Sequence, residues 1–342
     1  MNNTLDALKT RVQEVKALLN VHAEWEAKFQ EHAEEIDARK RAKPVKVKKM
    51  FRIKSSTGLT IYSGISSVKS SSNKTQNGYL RYAGQNVAQI KLQTEKDKDG
   101  KFYQYAYLKT KDYDKHNKEY FNITATIPNW SEWKSKEAQA FRHQFNHCTI
   151  LQGISPEHAV ECDLLREFSK STNKKLCHIQ PVTMGGYFFQ MTTPFGASTE
   201  NLNYEENRHK GGGIDIMARI TRKNNKSGLV VFELKDENKK NESPSRVIKQ
   251  AVSYAAFIGE LLYSNSGDKW WNIFGFNSRK PEHITIIAST LMPISDNPEL
   301  NQFGCEGEKI EVSPNVDIEL HSLFYDKESG DFVGSLRDVM ME

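Results

Sequence analysis

The sequence predicts a mixed α/β chain in which a long amino-terminal helix and a small β-rich segment precede a sheet flanked by helices. Three observations carry this. Leu5, Leu8, Val12, Val15 and Leu19 recur at three- and four-residue steps, the period of a helix. Residues 50–127 alternate polar with aromatic or β-branched side chains, the period of strands. Beyond about residue 156, strand-length apolar runs alternate with helix-period stretches, as in α/β sheets.

The first helix is expected over residues 4–40, with Trp25, Phe29 and Ile36 on a stripe shifted from that of Leu5 to Leu19. The shift near His22 breaks the heptad. Either a short coiled coil with a discontinuity, supporting a homodimer or higher homo-oligomer, or a helix docked on its own protein satisfies the pattern. Domain limits are drawn at 1–42, 43–130 and 131–342.

Between residues 39 and 54 stand Arg39, Lys40, Arg41, Lys43, Lys46, Lys48, Lys49, Arg52 and Lys54, with no acid among them. Such a block attracts polyanions over roughly one Debye length, ~8 Å at physiological salt, and makes Lys46, Lys48 and Lys49 candidate phosphate contacts. A solvated linker explains the run equally well. In the β-rich segment, Asn77-Gly78 and Asp97-Lys98-Asp99-Gly100 read as turns between strands. Its Tyr and Lys residues suit a single-strand binder, although cross-strand sheet stabilisation is the favoured account.

Pro128, Trp130 and Trp133 mark a boundary, followed by a helix at 135–147 with Ala138, Phe141 and Phe145 on one side. The remaining elements are a helix at 156–170, strands at 186–193, 213–221 and 229–235, a helix at 244–263, a strand at 284–289 and a late hairpin within 310–336.

Composition sets the class. The 342 residues are 37% hydrophobic, with 17 Phe and 13 Tyr, enough to bury a core and too aromatic for a disordered chain. Cys148, Cys162, Cys177 and Cys305 form no Cys-x-x-Cys pair, so their spacing specifies neither a zinc ribbon nor a disulfide framework. A reducing cytoplasm is the expected location. Asn2, Asn3 and Thr4 open the chain without an apolar leader, and no run of about 18 apolar residues follows, so neither secretion nor membrane insertion is expected.

The chemistry gathers between Gly211 and Lys235. Gly213-Ile214-Asp215-Ile216 and Val230-Val231-Phe232-Glu233-Leu234-Lys235 flank the polar stretch 222–228, an antiparallel hairpin with its turn near Asn225. That register sets Asp215 opposite Leu234 and Lys235. Alternation puts Glu233 and Lys235 on one face, so two carboxylates and an ammonium converge. Asp215, Glu233 and the Leu234 carbonyl form an oxygen set suited to Mg²⁺, while Lys235 would favour hydroxide beside the ion and offset charge on an attacked phosphate. A lone Glu-x-Lys is more often a plain amphipathic strand.

The neighbouring helix alters that balance. It opens on Ser243-Pro244, and Arg246, Gln250 and Tyr254 form a polar stripe beside the apolar Val247, Ala251, Ala255 and Ile258. Gln250 and Tyr254 could orient water or phosphate there. Upstream, Arg208, His209 and Lys210 precede three glycines that let backbone approach a phosphate, or that merely permit a bend. Trp270-Trp271 could stack on bases, but burial in the core is the favoured account.

These residues resemble the PD-(D/E)XK nuclease superfamily over roughly residues 156–291. Asp215 stands at the motif aspartate, with Ile214 where the nominal motif has proline. Glu233-Leu234-Lys235 matches the Glu-x-Lys element, and Gln250 to Tyr254 is similar to the Gln-x-x-x-Tyr helix of the RecB-like branch. The resemblance implies a restriction-endonuclease-like core and Mg²⁺-dependent hydrolysis of DNA leaving 5′-phosphates, with Mn²⁺ able to substitute. It also implies a setting in restriction or antiphage defence and a helical acid at Glu161, with Glu167 in reserve. An RNA-cleaving enzyme, or a non-catalytic nucleic-acid-binding or assembly protein on the same scaffold, is the competing expectation.

Overall fold

Apolar spacing at the amino terminus yields two helices, α1 (Asn2–Val21) and α2 (Glu24–Arg41), joined by a turn at residues 22 and 23. The heptad break is this bend. Leu8, Val12, Val15 and Phe29 are fully buried. Trp25 and Phe29 meet Phe257 edge-on, with ring centroids 5.7 and 5.1 Å away, and Trp270 Nε1 donates to the Phe29 carbonyl at 3.2 Å. The stripe considered for a homo-oligomer is thus covered by the chain itself, because aromatic partners for Trp25 and Phe29 lie within the same unit.

This is a computed structural model, and it describes residues 2–41, 47–49, 51, 53, 58–69, 71–72, 74–148, 155–169, 178–184, 186–204, 213–221 and 227–341. Two compact units emerge. The first comprises Met1–Glu34, Leu165–Val182 and Gln190–Glu342, and the second Glu35–Leu164 and Thr183–Phe189.

The second unit begins with β1 (Val47–Lys49), β2 (Thr60–Ser63), α3 (Ile65–Lys69), β3 (Thr75–Tyr82), β4 (Gln85–Lys96) and β5 (Phe102–Lys109). It continues through α4 (Asp114–Phe121), β6 (Ser131–Glu132), α5 (Lys136–Gln144) and most of α6 (Pro156–Phe168). After β7 (Ile179–Pro181), which belongs to the first unit, β8 (Thr183–Met184) and β9 (Tyr187–Phe189) complete its sheet, in the order β1-β5-β4-β3-β2-β9-β8 with β6 beside β5. The sequence boundary near residue 130 does not separate the units, because Ala138, Phe141 and Phe145 share a core with Leu80, Ile90 and Leu108.

Asn77-Gly78 is not a turn. It lies inside β3, where a Cβ on Gly78 would come 2.6 Å from the Tyr62 carbonyl oxygen of β2, so the glycine serves close strand approach. The β3–β4 turn is Ala83-Gly84, with φ of 45° and 78°.

The first unit adds β10 (Phe195–Ala197), β11 (Leu202–Tyr204), β12 (Ile216–Thr221), β13 (Ser227–Leu234), α7 (Pro244–Tyr263) and α8 (Gly267–Ile273). There follow β14 (Ile284–Pro293), β15 (Lys309–Ser313), β16 (Val316–Tyr325), β17 (Phe332–Val333) and α9 (Ser335–Met341). Its main sheet runs β15-β16-β14-β13-β12-β7, with β17 on β16. β13, β14 and β16 run parallel, β14 between the other two, whereas β12 pairs antiparallel with β13 and β15 antiparallel with β16. The central strands read as continuous apolar runs because both faces are covered. α7 packs on β14 and β16, and Gly259 permits the close approach to β16, since a Cβ there would meet Val316 Cγ1 at 2.9 Å. The fold is therefore mixed α/β, and no helix among the described residues is long and apolar enough to cross a membrane.

Candidate functional site

The hairpin of β12 and β13 pairs Ile216 with Phe232 and Thr221 with Ser227. One step beyond, Asp215 stands against Glu233, just short of the Leu234-Lys235 end expected from a turn at Asn225. Residues 222–226, that turn included, lie outside the described residues. Asp215 still reaches its neighbour's backbone, for the Leu234 N–H donates to Asp215 Oδ2 at 2.9 Å.

Glu233 and Lys235 share a face, as two-residue spacing in a strand requires. Lys235 Nζ donates to Glu233 Oε1 at 2.7 Å and to the Leu234 carbonyl at 2.9 Å. Both side chains are buried, at 5% and 9% exposure, so each charge needs the other. The Lys235 backbone is pinned on both sides: its N–H donates to the Leu291 carbonyl at 3.0 Å, and its carbonyl accepts from Tyr325 Oη at 2.9 Å. A carboxylate oxygen of Asp215 and one of Glu233 lie within 4.8 Å of each other. Two carboxylates that close, with a backbone carbonyl beside them, fit a hard divalent cation. The ammonium already holds the Leu234 carbonyl expected as a ligand. A carbonyl has two lone pairs, so the two contacts do not exclude one another.

Gln250 and Tyr254 do something the sequence did not suggest. Gln250 Nε2 donates to the Ala197 carbonyl at 3.1 Å, and the Ala197 N–H donates to Tyr254 Oη at 3.2 Å. One turn of α7 therefore clamps both polar groups of a single β10 residue, and the Tyr254 hydroxyl, which accepts there, keeps its proton to donate. Burial first, then the negative charges of Glu233 and Asp215, raise the Tyr254 phenol far above its ordinary range, so it stays protonated.

Arg246 pairs with Glu200 at 3.0 Å, both exposed. Glu161 belongs to the second unit, where it is buried, accepts from Tyr62 Oη at 3.5 Å and lies 3.5 Å from His158 Nδ1; Glu167 is half-buried. Lys46, Arg208 and Lys210 lie outside the described residues, as do the side chains of Lys48 and Lys49, although β1 contains those two. Trp270 and Trp271 are core, as read.

A second polar chain escaped the sequence reading. On β16, Glu319 Oε1 is 2.8 Å from His321 Nε2, and His321 Nδ1 is 3.1 Å from Ser335 Oγ. The two-residue spacing of Glu319 and His321 was its only local signal. The chain matches no protein-family model, no curated protein and no solved structure.

Proposed function

We propose that the first unit is a magnesium-dependent nuclease that hydrolyses phosphodiester bonds of DNA. The reading takes its β12-β13-β14 arrangement, an antiparallel pair followed by a parallel neighbour, as a restriction-endonuclease-like core. The observation that carries it is the meeting of Asp215, Glu233 and Lys235 at the carboxyl end of β13. Asp215 and Glu233 would hold the ion. Mg²⁺, or Mn²⁺ in its place, supplies Lewis-acid polarisation of a phosphoryl oxygen when bound. Lys235, fixed between Glu233 and the Leu234 carbonyl, offsets negative charge developing on the phosphate. Tyr254, protonated and anchored to Ala197, holds β10 against α7 beside these charges. The resemblance to the PD-(D/E)XK superfamily supports a place in restriction or antiphage defence.

The test is cleavage of matched DNA and RNA by the full chain in Mg²⁺ and in chelator. Asp215→Asn can keep the acceptor for the Leu234 N–H while losing the charge, and Lys235→Ala removes the ammonium. DNA should be cut only with the metal, and each variant should lose about 10²–10³-fold in rate. Cutting that survives both the chelator and the variants, or no metal-dependent cutting by the wild type, refutes the proposal; cutting of RNA alone reassigns the substrate.

A further inference from the structure

The second unit carries an aromatic face that hydrolysis does not use. Alternation along β4 and β5 sends Ile90, Leu92, Ala106 and Leu108 into the core and sets Gln89, Lys91, Tyr105 and Tyr107 on the other side. Lys91 pairs in register with Tyr107, and Gln93 with Tyr105. The Lys91 Nζ stands 4.7 Å from the Trp130 ring centroid and 5.4 Å from that of Tyr107, so one ammonium serves two rings. Four large hydrophobic side chains are exposed among the described residues, and Trp130 at 39% and Tyr105 at 41% are two of them. Both exposed large aromatic rings among the described residues thus stand on this unit.

Several charged groups of this region already have partners. Glu95 accepts from Tyr107 Oη at 2.9 Å, and Asp112 accepts from Gln89 Nε2 at 2.9 Å while lying 3.7 Å from Lys109. A polyanion would gain little from phosphate contacts on such a surface. Its recognition has to come from rings and amides.

Next to Trp130 opens a cavity of ≈ 160 Å³ whose lining includes Asn77, Gly78, Tyr79 and Gln89 and contains no charged side chain. A cavity of about 150 Å³ takes one benzene-sized ring. Aromatic walls suit a planar heterocycle, and the two amides offer both donors and acceptors of the kind that read a base edge.

We propose that this face binds single-stranded nucleic acid through its bases, one base entering the cavity and its neighbours stacking on Trp130, Tyr107 and Tyr105. Stacking is tolerant of sequence, because every base has a π-face, so the cavity supplies whatever preference exists. The interaction is separate from any contact made by the basic run at residues 39–54 and does not depend on the hydrolytic reading.

Fluorescence anisotropy in chelator tests it, with a labelled oligothymidylate of about eight nucleotides and the same oligomer carrying a neutral methylphosphonate backbone. The neutral backbone removes the charge that phosphate-binding lysines and arginines would meet. Saturable binding of the neutral oligomer is expected, weakened about tenfold or more by Trp130→Ala and less by Tyr105→Ala, with far-ultraviolet circular dichroism and melting unchanged. Failure of the neutral oligomer to bind, or equal affinity for wild type and Trp130→Ala, overturns the proposal. So would tighter binding of a neutral oligosaccharide at Trp130. The readout is binding alone, so its failure and the failure of the nuclease reading are distinguishable.

Discussion

Two strands of the first unit's sheet carry one device, a glutamate two residues ahead of a basic side chain, and they differ in what stands beside it. Glu233 and Lys235 meet at 2.7 Å, Glu319 and His321 at 2.8 Å, and both pairs are buried. Strand alternation produces such contacts wherever the residues fall two apart. At the first pair a second carboxylate, Asp215, comes within 4.8 Å of Glu233. At the second, a cation joins instead, with Lys309 3.8 Å from Glu319, and a hydroxyl, Ser335 Oγ, meets the imidazole. Added negative charge favours a divalent ion, whereas an added ammonium opposes one. The pairing is therefore common property, and the third group is what sets the two sites apart.

The largest effect that could break this comparison is catalytic. Glu233→Gln is expected to lower Mg²⁺-dependent cleavage by about 10²–10³-fold, while Glu319→Gln leaves the rate of the folded protein within about twofold. Comparable losses from the two substitutions would show that the sheet, not the Asp215 neighbourhood, sets activity.

Stability offers the next distinction. Lys235→Met keeps most of the side-chain volume but leaves Glu233 buried without its ammonium, a change that costs about 3–5 kcal/mol for a buried pair. If Asp215 and Glu233 take a divalent ion, adding Mg²⁺ should return part of this, about 2.7 kcal/mol at a concentration one hundred times the Kd. His321→Ala should show no such recovery. Denaturant unfolding with and without Mg²⁺ measures both, and an equal response in the two variants would erase the distinction.

How much of this was legible in the sequence depends on how local each cause is. The bounds of α7 were readable because Pro244 fixes the first turn and the apolar stripe runs unbroken to Leu262, although Ser243 makes no side-chain cap. The neighbourhood of Asp215, Glu233 and Lys235 follows from one short hairpin, so a small error in where its turn falls still left them adjacent. The clamp on Ala197 was not readable, because Gln250 and Tyr254 lie 53 and 57 residues from it and nothing local encodes the meeting. Asn77-Gly78 misled for a related reason: its glycine answers a carbonyl of another strand, not a turn of its own. The bend at residues 22 and 23 was visible as a phase shift, yet only the rings of Phe257 and Trp270 decide that the helix docks.

The smallest effect concerns a third carboxylate–base contact, on α6 in the second unit, where His158 Nδ1 lies 3.5 Å from Glu161 Oε2. Here the base is half exposed, at 44%, so solvent screens the pair and its contribution is modest. The hydrogen bond to Glu161, opposed in part by burial, raises the His158 imidazole above its ordinary value. A histidine with a raised folded-state pKa binds its proton more tightly when folded. Its stabilisation is thus complete below about pH 6.5, the unfolded value, and fades as pH climbs through the folded one. The melting temperature of wild type should therefore exceed that of His158→Gln by more at about pH 5.5 than at about pH 8.5. A gap that does not change with pH would mean that His158 contributes packing alone, and that Glu161 depends on Tyr62 rather than on the imidazole for its place in the second unit.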